Sequence, residues 1–193
     1  MRIITGKARG RRLETLPGLE TRPTAERVKE ALFSVLQFEI EGRRVLDLFA
    51  GSGQLGIEAL SRGAQGCVFV DSSREAAEVI RRNLKAVGLT ANTQVLCQDA
   101  ASYLNRHGDR FDIAFLDPPY ASGLLEATLR QVVPFMNPGG VIVCESDRDM
   151  ELPERVGDFV LAKLYPYGRV RIWLYRFDAA GQKNPNEQGE TSI

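Results

Sequence analysis

From residue 43 onward, short apolar runs alternate with longer stretches in which apolar positions recur every three or four residues. The runs 44–48, 66–71, 93–97, 111–116 and 140–145 predict five strands, rich in Val, Ile, Leu and Phe. Between them, 53–62, 75–87, 99–105 and 124–133 predict four helices. Strands separated by helices of this length imply βαβ units, hence a parallel sheet with helices on both faces. The pattern then changes. Segments 158–165 and 170–177 are strand-like with no helix between them, and Pro166-Tyr167-Gly168 reads as their turn. They predict an antiparallel hairpin that closes a seven-stranded, mostly parallel sheet.

Upstream of this domain, two apolar patches flank Gly6-Lys7-Ala8-Arg9-Gly10 and predict a small β-hairpin. A loop containing Pro17 and Gly18 follows. A helix then begins near Pro23-Thr24, because proline suits a first turn and threonine caps well. Val28, Ala31, Leu32, Val35 and Leu36 form its apolar stripe. Residues 178–193 are polar and predict a disordered tail. The organisation is therefore an N-terminal hairpin extension over 1–22, an α/β domain over 23–177, and a tail over 178–193.

Composition and charge sharpen this picture. The 193 residues are 44% apolar and 26% charged, as in a soluble globular protein. No apolar run approaches the roughly 20 residues of a bilayer span, and no long apolar stretch marks a signal peptide, so a cytoplasmic address without membrane contact is expected. Net charge is zero, yet residues 1–29 hold eight Lys and Arg against three Glu, a local +5. A basic arm on a neutral protein points to a polyanion partner. Cys67, Cys97 and Cys144 fall in apolar runs and are read as small core residues. His107 stands alone, so neither a His-based triad nor a metal site is expected.

The end of the first strand carries the first chemistry: Asp47-Leu48-Phe49-Ala50-Gly51-Ser52-Gly53-Gln54-Leu55-Gly56. Its glycines form G-x-G-x-x-G between a strand and a helix, which lets the backbone turn sharply and approach a ligand. Asp71, at the end of the second strand, is placed to accept hydrogen bonds from ribose hydroxyls. NAD would set its pyrophosphate over the turn, against the charge of Asp47. S-adenosylmethionine has no phosphate, and its ammonium and sulfonium suit a carboxylate there. Phe49, Gly51, Ser52 and Gly53 then line the donor. Asp99 and Ala100, after the third strand, are placed for the adenine; Asp99 is equally suited to cap the next helix.

The fourth strand ends in Asp117-Pro118-Pro119-Tyr120. The prolines stiffen the backbone and fix the flanking side chains. In a doubly wound sheet this corner lies beside the ligand. An exocyclic amino group is a poor nucleophile because its lone pair is delocalised into the ring. The Asp117 carboxylate and the Pro118 carbonyl can accept its two hydrogens, and Tyr120 can stack on the base. The expected reaction is methylation of a base amino group.

Together these motifs resemble the amino-group class of nucleic-acid methyltransferases. With Met1-Arg2-Ile3-Ile4-Thr5-Gly6, Gly10-Arg11-Arg12-Leu13, Thr21-Arg22-Pro23-Thr24, Arg27–Phe33, Asp47–Gly66 and Tyr167-Gly168, the chain resembles the bacterial 16S ribosomal RNA guanine-N2 methyltransferase family (RsmD). The resemblance implies a class I, Rossmann-like methyltransferase fold and transfer to N2 of one guanine in 16S rRNA. The substrate it implies is an assembled or partly assembled small ribosomal subunit. It also places Arg22, Pro23 and Thr24 near the reactive corner. The family often carries Glu where this chain has Asp71, and the shorter acid changes the reach to the ribose. A flipped base needs its strand held, and Lys7, Arg9, Arg11, Arg12, Arg22 and Thr24 are the candidate RNA contacts, with Tyr167 as an opposite wall. A monomer is expected. Two other readings stay open: an adenine-N6 methyltransferase on DNA or RNA, and a non-catalytic RNA-binding assembly factor that keeps the fold.

Overall fold

The computed structural model of the chain describes residues 1–16, 23–105, 108–119 and 123–179, with the side chains of 23–25 excepted. Its elements are α1 (Pro23–Val35), β1 (Arg44–Leu48), α2 (Gln54–Ser61), β2 (Gly66–Asp71), α3 (Arg74–Val87), β3 (Thr93–Cys97), α4 (Ala100–Leu104), β4 (Phe111–Leu116), α5 (Leu124–Val132), β5 (Met136–Asp147), β6 (Arg155–Val156), β7 (Phe159–Tyr167) and β8 (Val170–Phe177). They form one sheet in the order β3-β2-β1-β4-β5-β8-β7-β6. Strands β1 to β5 are mutually parallel, and β8, β7 and β6 add antiparallel pairings. Strand order reverses between β2 and β4 on either side of β1, which opens a crevice beyond their carboxyl ends.

Burial of both faces explains the apolar strands. Val45, Phe69, Ile113, Phe115 and Val143 join one core with residues of α1, α2 and α3. Leu46, Leu48, Val70, Ala114, Leu116, Ile142 and Cys144 join the other with α4 and α5. Helix α3 shows how local sequence sets an element. Ser73 caps it by accepting from the Ala76 N–H at 3.2 Å, and Gly88 ends it with a φ of +73°. None of the described helices is long and apolar enough to cross a membrane.

Five expectations need correction. The sheet has eight strands, because Arg155–Val156 pairs with the start of β7. Strand β5 begins at Met136, not residue 140: the register with β4 jumps between Phe111 and Ile113, and that irregularity absorbs Asn137-Pro138-Gly139-Gly140. Strand β7 runs through Pro166 to Tyr167, leaving only Gly168 and Arg169 as the turn. Short β6 leaves this stretch of β7 unpaired on one side, where proline's missing N–H costs nothing. Cys97 is exposed at the end of edge strand β3, whereas Cys67 and Cys144 are core residues. Finally, residues 1–13 close through a single antiparallel bridge, Arg2 to Arg12, and not through two strands.

That N-terminal segment is anchored by polar groups as well as by its buried Ile3, Ala8 and Leu13. Glu58 of α2, 0% exposed, accepts from the N–H groups of Ile4 (2.8 Å) and Thr5 (3.1 Å). Its carboxylate also meets Arg62 Nε at 2.8 Å and Lys29 Nζ at 3.6 Å. Ser61 accepts from the N–H groups of Lys7 through its carbonyl (2.8 Å) and Ala8 through its hydroxyl (3.0 Å). Gly6 passes so close that a Cβ there would sit 1.9 Å from the Ser61 carbonyl oxygen. Lys29, counted with the basic arm on charge alone, is 4% exposed and belongs to this anchor. Desolvation pulls its pKa down and Glu58 holds it up.

Candidate active site

The turn after β1 is built by backbone that only certain residues tolerate. Phe49 takes a φ of +62°, rare for a residue with a side chain, and Gly51 and Gly53 take +55° and +78°. Gly56 lets α2 lie against β2: a Cβ there would come 2.3 Å from the Phe69 ring and 2.7 Å from Cys67 Sγ. Asp71 ties the turn to β2. Its Oδ2 accepts from the Gly51 N–H and its Oδ1 from the Ser73 N–H, both at 2.8 Å. Each oxygen keeps a lone-pair direction for a further donor.

Asp47 lies beneath this turn and is not presented on its surface. It is 2% exposed, and its Oδ2 accepts from the Gly56 N–H at 2.9 Å. Burial pushes its pKa up to about 7; the Gly56 hydrogen bond opposes that shift, and the Asp71 charge adds to it. Asp117 follows the last residue of β4. Leu116 pairs with Cys144, so the parallel register puts Asp117 beside Glu145. Burial, then Glu145, then Asp47 raise the Asp117 pKa well above the usual carboxylate range. Three acids from three neighbouring strands thus share one end of the sheet. Pro118 and Pro119 line a groove with Glu145, Ser146, Asp147 and Met150. Sequence reading missed Glu145. The signal was an acid closing the apolar run Val141-Ile142-Val143-Cys144 in register with the end of β4.

Asp99 caps α4, accepting from Ser102 N–H at 2.8 Å and from Ser102 Oγ at 2.7 Å, and these bonds lower its pKa. Ala100 beside it is buried. The structure therefore brings Asp47, Phe49, Gly51, Ser52, Gly53, Asp71 and Asp117 to the carboxyl ends of β1, β2 and β4, with Asp47 beneath the turn and Asp99 and Ala100 at the end of β3, two strands from β1. Lys7, Arg9, Arg11 and Arg12 are exposed on the N-terminal segment. Arg11 also donates to the Ala86 carbonyl of α3 at 2.5 Å. Tyr167 is half-buried at the end of β7 and lines an apolar groove against Leu32 and Val35 of α1. Tyr120, Arg22 and His107 lie outside the described residues, as does the side chain of Thr24.

Residues 1–176 match the family model described as "Conserved hypothetical protein 95". The chain is 43% identical to YlbH of Bacillus subtilis over 91% of this chain and 98% of that protein. It is 35% identical to ribosomal RNA small subunit methyltransferase D of Escherichia coli K12, over 95% of this chain and 93% of the relative. Among solved structures, yhhF from Escherichia coli superposes with a TM-score of 0.82 at 36% identity, covering 93% of this chain and 98% of that one. The 16S rRNA N2 G1207 methyltransferase RsmC of T. thermophilus, solved in complex with AdoMet and guanosine, does so with a TM-score of 0.68 at 25% identity, over 84% of this chain and 45% of that one. With the class I methyltransferase sheet and its acid-lined crevice, these matches show that the chain belongs to the conserved hypothetical protein 95 family, that of the rRNA methyltransferase RsmD.

Proposed function

We propose that this protein methylates the exocyclic N2 amino group of a guanine in 16S rRNA, with S-adenosylmethionine as donor. The carrying observation is the end of the sheet where Asp117 is buried beside Glu145 and Asp47, both of which raise the cost of ionising it, and where Asp71 adds to the cost of ionising Asp47. Such a site favours a cationic ligand and disfavours a pyrophosphate. The donor's sulfonium and ammonium match it, and the donor supplies an electrophilic methyl group. Asp71 would hold the ribose hydroxyls with its remaining lone pairs, and Asp99 and Ala100 the adenine. Phe49, Gly51, Ser52 and Gly53 give the turn its shape.

The acceptor half follows from Asp117 and Pro118. Their side-chain and main-chain oxygens accept the two amino hydrogens, which turns the nitrogen lone pair toward the methyl group. Tyr120 stacks on the base. Transfer is an in-line displacement in which positioning and field supply the acceleration, and the product nitrogen sheds its proton afterwards. Asp117 need not be a strong base for this, because it takes no proton in the transfer itself. Guanine N2 is favoured over other base amines by the kinship with small-subunit methyltransferase D and by the RsmC likeness. Lys7, Arg9, Arg11 and Arg12, with Arg22 and Thr24 further along the chain, hold the RNA backbone, and Tyr167 walls the cleft.

The test is to incubate the protein and labelled donor with small-subunit particles, naked 16S rRNA and DNA, then identify the labelled nucleoside. N2-methylguanosine from rRNA is expected. N6-methyladenosine, labelling of DNA alone, or no transfer at all would each overturn the reading, the last in favour of a non-catalytic assembly factor. Asp117→Ala should lower kcat at least about 100-fold, a larger loss than any it causes in donor affinity.

A further inference from the structure

Asn83 occupies the buried stripe of α3, 3% exposed, among Ile80, Leu84 and Val87. An amide is costly there unless all its groups are bonded. It is fully bonded, and to two separate parts of the protein. Its Oδ1 accepts from the Glu14 N–H at 2.8 Å. Its Nδ2 donates to the Glu14 carbonyl at 3.0 Å and to the Ser52 carbonyl at 2.9 Å. Glu14 is the point at which the N-terminal segment crosses α3, and Ser52 belongs to the glycine turn. The Glu14 carboxylate forks onto the guanidinium of Arg82, at 2.7 and 2.9 Å.

We propose that Asn83 is a positioning residue that couples the N-terminal segment to the cofactor turn, so that docking of residues 1–16 and holding of the methyl donor reinforce each other. This rests on the reading that the turn binds S-adenosylmethionine. The Ser52 carbonyl takes its direction from the turn, and that direction fixes where Nδ2 sits. A planar amide cannot move its nitrogen without moving its oxygen, so the position of Nδ2 fixes the acceptor offered to Glu14. A leucine at this position would fill the space and strand three backbone groups. Coupling of this kind is reciprocal. A strand of RNA on Lys7, Arg9, Arg11 and Arg12 would thereby tighten the donor site, and a loaded donor site would hold the basic segment ready for RNA.

The test needs no RNA. Hydrogen exchange at the Glu14 amide is measured in the wild-type protein with and without saturating S-adenosylhomocysteine. The ligand should slow exchange there about 5- to 50-fold, within the usual range of coupling between sites. In Asn83→Ala this slowing should vanish and the Kd for S-adenosylhomocysteine should rise about tenfold, whereas Arg82→Ala, which cuts only the exposed fork, should keep the slowing. Should Asn83→Ala not fold, the wild-type measurement decides alone. Ligand binding that leaves Glu14 exchange unchanged, or slowing that survives in a folded Asn83→Ala, overturns the coupling and spares the cofactor reading. Failure of the wild type to bind the ligand overturns both.

Discussion

Asp47→Asn should make the protein more stable and less able to bind its donor. The substitution keeps an oxygen that can accept from the Gly56 N–H and removes the buried charge. Burial raises the Asp47 pKa from 3.8 to about 7, so between these values the folded protein holds a proton that the unfolded chain releases. The cost of ionising Asp47 is absent below the lower value, grows as pH rises through the window, and is complete above pH 7. Each pH unit between the two values is worth about 1.4 kcal/mol, so the full cost is about 4 kcal/mol. Urea unfolding followed from about pH 4 to pH 8.5 should give curves for wild type and variant that coincide at the acid end. They should separate by about 3–4 kcal/mol above neutrality, with the variant the more stable. Donor binding runs the other way. A cation above the turn favours ionised Asp47, so wild-type affinity for S-adenosylmethionine should fall about tenfold per pH unit below 7, with one proton released on binding, and the variant should lose that dependence. Parallel stability curves, or a variant less stable than wild type at alkaline pH, would refute the assignment of this carboxyl as the strained group.

Two further outcomes follow from the N-terminal segment. Glu58→Ala leaves Lys29 buried without its counter-ion and two N–H groups without an acceptor, and should cost about 3–5 kcal/mol in denaturant unfolding while exposing residues 1–16 to protease. Replacing Arg9, Arg11 and Arg12 together by Ala should weaken rRNA binding at moderate salt and flatten the plot of log affinity against log salt by about 0.7 for each phosphate that is no longer neutralised. Unchanged binding would remove the exposed basic arm from the RNA interface.

The sequence showed the sheet most clearly where burial is most uniform. Strands β1, β2 and β4 lie between two layers of helices, so most of their side chains are apolar and buried and their boundaries are sharp in the chain itself. Legibility failed where tertiary pairing overrides local signals. Asn137-Pro138-Gly139-Gly140 reads as a turn but is carried inside β5 by a register shift, and Pro166 sits in a strand because its neighbour is too short to need its N–H. The site divides the same way. The glycine turn, Asp71 and Asp117-Pro118-Pro119 are short-range patterns whose chemistry is written in adjacent residues. Glu58, Asn83 and Glu145 are polar residues on a buried helix face or at the end of an apolar run, and apart from Arg62, one turn beyond Glu58, their partners are distant in the chain. Glu58 meets Ile4, and Asn83 meets Glu14, across 54 and 69 residues of chain. Glu145 reaches Asp117 only because Leu116 and Cys144 share a register. A polar residue on an otherwise apolar helix face or strand end is therefore the sequence signal to weigh here, since burying it demands a distant partner. Two of these three residues fasten the basic arm to the α/β core, and the third completes the acid crevice.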